Sequence, residues 1–302
     1  MRPSTPRQPE SGDRTVVPYI DLAGIRVDAV TEADCVRLIH ASLDGGYGGW
    51  IVTPNLDHFA RMRRDSGLRK LYSRADLCVA DGMPLVWASK VQLTPLPQRV
   101  AGSDLIWSLS ESAAEAGRSV FFLGGDPGTA ERAASALTTK HPGLRVVGTS
   151  CPQIGGSVED ADLTEIREQL KASGADIIFV ALGSPKQEVL IERVRDALPQ
   201  AWWIGVGISF SFVSGDIQRA PAWMQRSGLE WIHRLSQEPR RLAHRYLVRG
   251  VPFAIRMLAG SLRRRVRRRP DGDVEVVVER VAAPTWRQPA IWLPGKSRPR
   301  VG

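Results

Sequence analysis

Ala75-Asp-Leu-Cys-Val-Ala-Asp-Gly-Met-Pro-Leu85 is the stretch whose reading decides the fold. Leu77, Cys78, Val79 and Ala80 form a short apolar run, read as a strand buried on both faces, the kind that parallel sheets use. Asp81-Gly82 ends the run, and Met83 to Lys90 reads as a helix. A carboxylate at the C-terminal end of a parallel strand, beside a glycine that lets another molecule approach the backbone, stands where open α/β sheets place their ligands. Upstream, Trp50-Ile-Val-Thr53 is a second strand that ends on polar residues, Thr53-Pro-Asn55. Two strand ends carrying polar side chains on a common rim predict one active-site edge.

Working outward, Ile20 to Val30 reads as a short strand or hairpin. Thr31-Glu-Ala-Asp34 resembles a capping box, with Asp in place of the usual Glu, and opens a helix to about Ser42. One helix is expected over roughly Leu56 to Arg74. A loop with Pro95 and Pro97 leads to Arg99-Val-Ala-Gly-Ser-Asp104, where Ser103 or Asp104 can cap a helix to Ala116. Strands at Ser119–Leu123, Arg145–Thr149, Asp176–Ala181 and Trp202–Val206 then alternate with helices at Thr129–Lys140, Leu163–Ser173 and Gln187–Ala197. This alternation predicts a Rossmann-like α/β fold, a parallel sheet with helices on both faces. No internal repeat is evident.

The alternation stops near Gly215, and from Pro221 the pattern is helical, over Pro221–Gln237 and about Pro239 to Arg268. In the second part Leu242, Tyr246, Phe253, Met257, Leu258 and Leu262 recur at helical steps, arginines lie mainly on other faces, and Pro252 should kink or split the element. The expected organisation is a disordered N-terminus over 1–18, an α/β core over 19–218, a basic helical appendage over 219–269 and a tail of low order over 270–302. Within the tail, Val274–Val281 could form an exposed strand.

The 302 residues, 43% of them hydrophobic, suffice for one α/β domain with an appendage. The net charge of +9 hides a division. From Arg219 to Gly302 there are 19 Lys+Arg against 6 Asp+Glu, while the remainder has 22 against 26. A basic C-terminal segment on an acidic body implies an anionic partner for that segment alone. Cys35, Cys78 and Cys151 have neither metal nor disulfide spacing, so a reducing cytoplasm is the default. The N-terminus lacks the apolar stretch of a signal peptide, and no apolar run of about eighteen residues predicts a membrane span.

Each candidate site has a plainer counterpart. Gly124-Gly-Asp-Pro-Gly128 joins a strand to a helix and could hold a phosphate on Gly124, Gly125 and the helix N-terminus. It could equally be an ordinary turn with Asp126 as N-cap and Pro127 after it. Gly183-Ser-Pro-Lys-Gln-Glu188 has the same form, with Ser184 as N-cap, Lys186 able to pair with a phosphate and Gln187 able to bond a sugar or base; plain capping explains it too. Two such N-termini on one rim favour a diphosphate ligand. Asp81 is a general base or a capping residue, exposed on the rim with no cationic neighbour in sequence. Arg99 binds phosphate or closes a surface ion pair, and His58 reads as packed on its helix. No metal spacing is present. Asp271-Gly-Asp273 looks like a metal-binding D-x-D, but its place in the tail argues against that.

Taken together, Thr53-Pro-Asn55, Asp81-Gly82, Arg99-Val-Ala-Gly-Ser-Asp104, Phe122-Leu-Gly-Gly125, Val180-Ala-Leu-Gly-Ser-Pro-Lys-Gln-Glu188, Gly205-Val-Gly207, Arg219-Ala-Pro-Ala-Trp-Met224, Gly228-Leu-Glu-Trp231 and Glu238-Pro-Arg-Arg241 resemble the WecG/TagA/CpsF family of bacterial glycosyltransferases from about Ile25 to Phe253. The resemblance implies an inverting, metal-independent transferase without a cofactor. It would move an N-acetylhexosamine-type sugar from a UDP donor to a polyprenyl-diphosphate-linked sugar at the cytoplasmic membrane face, in cell-surface polysaccharide synthesis. It implies Asp81 as the base, Thr53 and Asn55 at the substrate pocket, Arg99 at the acceptor or diphosphate, and Gln187 at the nucleotide sugar. It also implies an appendage whose arginines, here Arg219, Arg234, Arg240 and Arg241, complete the site and dock on lipid. The run Arg263-Arg-Arg-Val-Arg-Arg-Arg269 lies beyond the resemblance. A homo-oligomer is left open.

Two other classes compete. A nucleic-acid binder would use the arginine runs, but no recognition motif or aromatic-basic interleaving accompanies them, so no nucleic acid is expected. A nicotinamide-dependent oxidoreductase would need the G-x-G-x-x-G fingerprint and an acidic ribose-binding residue, which are missing.

Overall fold

In the computed structural model the described residues are 16–267, except 153, 155, 156, 159, 160, 227 and 238, together with 278–280. Of the disordered N-terminus expected over 1–18, residues 1–15 lie outside them, whereas Val16 to Pro18 belong to a strand with Val17 buried; the expectations for Asp271-Gly-Asp273, for residues 268 and 269 and for most of the tail also lie outside. The chain opens with a hairpin, β1 (Val16–Leu22) and β2 (Ile25–Asp28), to which β9 (Val278–Arg280) adds antiparallel beside β1. Then follow α1 (Glu32–Asp44), β3 (Gly49–Val52), α2 (Leu56–Met62), α3 (Ser66–Tyr72), β4 (Leu77–Cys78), α4 (Met83–Val91) and α5 (Gly102–Ala116). Next come β5 (Ser119–Gly124), α6 (Thr129–Lys140), β6 (Arg145–Ser150), α7 (Thr164–Ser173), β7 (Ile177–Ala181), α8 (Lys186–Val194), β8 (Trp202–Gly205) and α9 (Ser209–Val213). The C-terminal elements are α10 (Ala222–Arg226), α11 (Glu230–Gln237), α12 (Pro239–Ala243), a π-helical segment (His244–Gly250) and α13 (Val251–Arg267).

Six strands form one sheet in the order β4-β3-β8-β7-β5-β6, every neighbouring pair parallel. β5, β7 and β8 are buried along their whole length, as strands covered on both faces must be. The two-residue period sorts their side chains. Phe121, Leu123, Ile178, Val180 and Trp203 join the apolar layer under α2, α3, α4, α7 and α8. Phe122, Ile177, Phe179, Trp202 and Ile204 join the layer under α1, α5, α6 and α9. The predicted α/β sheet with helices on both faces is the observed one.

Local details depart from the sequence reading for identifiable reasons. The single helix expected over Leu56 to Arg74 is two, because Asp65 leaves helical geometry and its carboxylate accepts the Leu68 N–H at 2.9 Å, capping α3. α5 starts at Gly102 with no side-chain cap: Asp104 is drawn instead to Arg99 and Arg219. Ser184 does not cap α8; Pro185 holds the N-cap position after a cis peptide, and the Ser184 hydroxyl bonds Tyr72. Neither Asp126 nor Pro127 has its expected place either, since Gly128 precedes the first turn of α6. Around Pro252 the helical run changes pitch rather than ending: the π-helical segment accommodates the residues ahead of it, where a proline excludes a regular hydrogen bond. α13 packs on the main core through Phe253 and Met257, and Arg264 pairs with Asp21 of the hairpin.

Candidate active site

β8 occupies a special place in the sheet. Its chain continues into α9 on one face, whereas its neighbours β3 and β7 lead to α2 and α8 on the other. Such a reversal opens a crevice beyond the strand ends. A cleft of about 430 Å³ lies there, lined by the ends of β3 (Thr53, Asn55), β4 (Asp81, Gly82), β7 (Gly183, Ser184) and β8 (Gly205 to Ser209). That size suits a small-molecule site. α11 and α13 close it with Glu230, Trp231, Arg234, Val251 and Ala254.

Asp81 sits on the cleft floor. Its N–H donates to Pro54 O at 3.0 Å, and Val100 N donates to Ala80 O at 3.0 Å, so the strand end is held from both sides. On the open edge of β4, the buried Asp28 carboxylate accepts from Cys78 N at 2.8 Å. Gly82 has φ 131°, a conformation side-chain-bearing residues rarely adopt, and this lets α4 turn away immediately after Asp81.

The sequence reading left Asp81 without a cationic neighbour; the fold supplies one, Arg99, whose Nη1 is 3.5 Å from Oδ1. Burial nonetheless raises the Asp81 pKa from 3.8 to about 6. Arg99 and Arg234 oppose the rise, and Glu230 and Asp104 add to it. Its side chain keeps 29% exposure and lines the cleft. A carboxylate of this kind is about 90% ionised at pH 7 and far more basic than an ordinary aspartate, which suits proton abstraction.

The other sequence candidates divide into groups. Thr53, Asn55, Arg99, Ser184, Gln187 and Arg234 line the cleft with Asp81. Asn55 also caps α2, its Oδ1 accepting from Asp57 N and His58 N while His58 Nδ1 accepts from Asn55 N at 3.0 Å. His58, read from sequence as packed on its helix, is thus both a capping partner and part of the lining. Gln187 is 6% exposed; its Oε1 accepts from Gly207 N at 3.0 Å and its Nε2 donates to Glu188 at 2.9 Å. Burial raises the pKa of Glu188, against the hydrogen bond from Gln187. Arg219 stands behind the lining, paired to Asp104 at 2.6 Å.

Gly124 and Gly125 lie at the end of β5, away from the lining. Lys186 and Arg240 are exposed and also outside it, and the Arg241 side chain is beyond the described residues. The sequence reading assigned no role to Met83, Trp87, Phe212, Glu230 or Trp231, all of which line the cleft. Among the described residues no group of three or more His, Cys, Asp or Glu side chains is placed to hold a metal ion.

The family model for the glycosyl transferase WecG/TagA/CpsF family matches residues 20–267. The chain belongs to this family. The transferase is 35% identical over 199 residues to an N-acetylglucosaminyldiphosphoundecaprenol N-acetyl-beta-D-mannosaminyltransferase of Bacillus spizizenii, covering 66% of this chain and 75% of that one. It is 31% identical over 197 residues to a protein of the same description from Bacillus subtilis, covering 65% and 75%. The family match runs past Phe253 and takes in Arg263 to Arg267, so most of the arginine run falls inside the family pattern rather than beyond it. This enzyme is therefore a glycosyltransferase, with its cleft at the sheet's switch point.

Proposed function

We propose that this glycosyltransferase moves an N-acetylhexosamine-type sugar from a UDP donor to a polyprenyl-diphosphate-linked N-acetylglucosamine, with inversion, in the synthesis of a cell-surface polymer. The observation that carries the reading is Asp81, a carboxylate made basic by burial at the floor of a switch-point cleft. In the step, an acceptor hydroxyl gives its proton to Asp81 and its oxygen forms a bond to the anomeric carbon. The bond from that carbon to the diphosphate oxygen breaks, and the electron pair leaves with UDP. Charge developing on the leaving diphosphate calls for fixed donors. Arg234 is such a donor on the cleft wall, its guanidinium 5.7 Å from the Phe212 ring centre. Thr53 and Asn55 supply hydrogen bonds to sugar or acceptor, and Gln187 shapes the β8 loop. The relatives' names describe a mannosaminyl donor group and an undecaprenyl-diphosphate acceptor, and these set the first substrates to try.

The C-terminal helices suit a lipid-bound acceptor. No helix among the described residues is long and apolar enough to cross a membrane. Yet Val251, Ile255, Leu262 and Val266 of α13 are exposed, Ile255 at 62% and Val266 at 77%. They fall within an arc of about 60° on the helical wheel. Arg256 and Arg263 flank that arc on one side and Arg265 on the other. This is the pattern of a helix lying in a membrane interface, with each basic residue near an anionic surface contributing roughly 1 kcal/mol. We assign the enzyme to the cytoplasmic face as a peripheral protein on this ground.

The test is a panel of UDP-sugars with a short-chain polyprenyl-diphosphate-N-acetylglucosamine acceptor and EDTA present. Transfer from an N-acetylmannosamine-type donor is the expected result. Absence of both transfer and UDP binding overturns the proposal. Vesicle binding that falls with salt, without DNA binding, is expected of the helices.

A further inference from the structure

The C-terminal helices bring a carboxylate, not only arginines, to the base. Glu230, the first residue of α11, is 18% exposed and stands across Arg99 from Asp81. The same Arg99 nitrogen, Nη1, is 3.5 Å from Asp81 Oδ1 and 3.6 Å from Glu230 Oε2. Asp104 holds Nη2 of Arg99 at 2.6 Å and the Nη1 of Arg219 at 2.6 Å, and Arg219 Nε returns to Glu230 at 3.5 Å. Asp104, Arg99, Glu230 and Arg219 thus form a closed ring of alternating charge, with Asp81 attached at one corner.

A carboxylate beside a cleft meant for diphosphates works against substrate binding, so its place calls for another role. We propose that Glu230 is a positioning residue for the transfer reaction: by sharing Arg99 Nη1 with Asp81, it keeps Arg99 from pairing fully with the base and so keeps Asp81 basic. This rests on the reading of Asp81 as the base. The seating of the segment supports it independently. Gly228, with φ 75°, packs so tightly on the residue after Gly82 that an added Cβ would lie 2.6 Å from Met83 Cβ. Glu230 is therefore held against the Asp81–Met83 turn by backbone packing as well as by charge.

The charged and titratable groups around Asp81 are few. Arg99 comes from the loop before α5, Asp104 from α5, and Glu230 and Arg234 from α11. Arg219 and Glu32 of α1 stand behind Asp104, and Asp57 and His58 of α2 line the same cleft. Glu230→Gln removes one negative charge and releases Nη1 to Asp81; both changes favour the ionised aspartate and weaken it as a base.

The experiment is the pH profile of kcat/KM for wild type, Glu230→Gln and Asp81→Asn, with folding followed by circular dichroism. For Glu230→Gln the acid limb is expected to move down by about one pH unit, with the plateau rate reduced several-fold and UDP binding kept. An activity loss equal at every pH, with the limb unmoved, overturns the proposal. If Glu230→Gln does not fold, Glu230→Asp decides: withdrawing the carboxylate from Nη1 moves the limb the same way by less, and an unmoved limb overturns it. Asp81→Asn separates the two readings. A nearly normal Asp81→Asn sinks the base and this proposal together, whereas an inactive Asp81→Asn beside an unshifted Glu230→Gln sinks this proposal alone.

Discussion

Replacing Asp81 by Asn should make the enzyme slower and more stable at once. Burial raises the pKa of Asp81 from 3.8 to about 6, so the ionised form is disfavoured in the native state relative to the unfolded chain. The native state therefore binds more protons between these values, and this group lowers stability as pH rises through that window. The cost is absent below about pH 4 and complete above about pH 6. A rise of this size corresponds to an upper limit of about 3 kcal/mol. Because the cleft admits solvent to a side chain 29% exposed, screening reduces it, and about 1–2 kcal/mol is expected. Asn at this position carries no charge, while Arg99 keeps Asp104 and Glu230 as partners. Urea unfolding of the wild type and Asp81→Asn at pH 8 and pH 4 reads the effect. The variant should be the more stable at pH 8 and level with the wild type at pH 4. Transfer should fall at least ~100-fold, the scale of a lost general base. A variant that is less stable at pH 8, or equally active, refutes the account of Asp81 as a destabilised base.

Three further variants test other parts of the structure. Ile255→Glu with Leu262→Glu changes two exposed side chains, so the fold and UDP binding should survive while cosedimentation with anionic vesicles drops at least ~10-fold. Gly228→Ala places a methyl 2.6 Å from Met83 Cβ at a positive φ; about 1–3 kcal/mol of strain should loosen the C-terminal helices. Hydrogen exchange should then rise over 222–267 while β5 and β7 stay protected. Gln187→Glu sets a second carboxylate against buried Glu188, where Nε2 now donates at 2.9 Å. A loss of about 2 kcal/mol or more in denaturant unfolding at pH 7, smaller at pH 5 as the pair takes up a proton, is the expected result.

The sheet was legible in sequence because its strands state their environment. β5 after Ser119, β7 and β8 are short apolar runs between turn residues, as strands buried on both faces are. The helix boundaries were less legible where a polar side chain had two uses. Asp104 stands where a cap would stand, yet two arginines claim it, one from 115 residues further along the chain. Asp65 looks like one more surface residue inside a helical pattern, yet it caps a new helix.

The site shows the same contrast more sharply. Residues just past strand ends, Thr53, Asn55 and Asp81, and Gln187 in the first turn of the helix after β7 could be placed on one rim because topology carries strand ends and the following helix starts there. What each does on that rim depends on partners that sequence separation conceals. Gln187 at a helix start suggests a ligand contact, but both ends of its amide are occupied, one by the loop after β8 and one by Glu188. Arg99 suggests a phosphate ligand, but three carboxylates surround it. Two of these, Asp81 and Asp104, lie nearby in the chain, and the third arrives with α11. Glu230 in sequence is only an acidic residue in a basic segment, outweighed in any charge count. It becomes significant when Gly228 seats that segment against the Asp81 turn. The basic appendage then reads differently: its arginines suit the membrane and the diphosphate, while Glu230, one of its two acidic residues, stands at the proposed base. A charge average over Arg219 to Gly302 cannot separate these roles: among its 19 cations and 6 acidic residues it gives no sign that Glu230 stands beside Arg99 and adds to the effect of burial on Asp81.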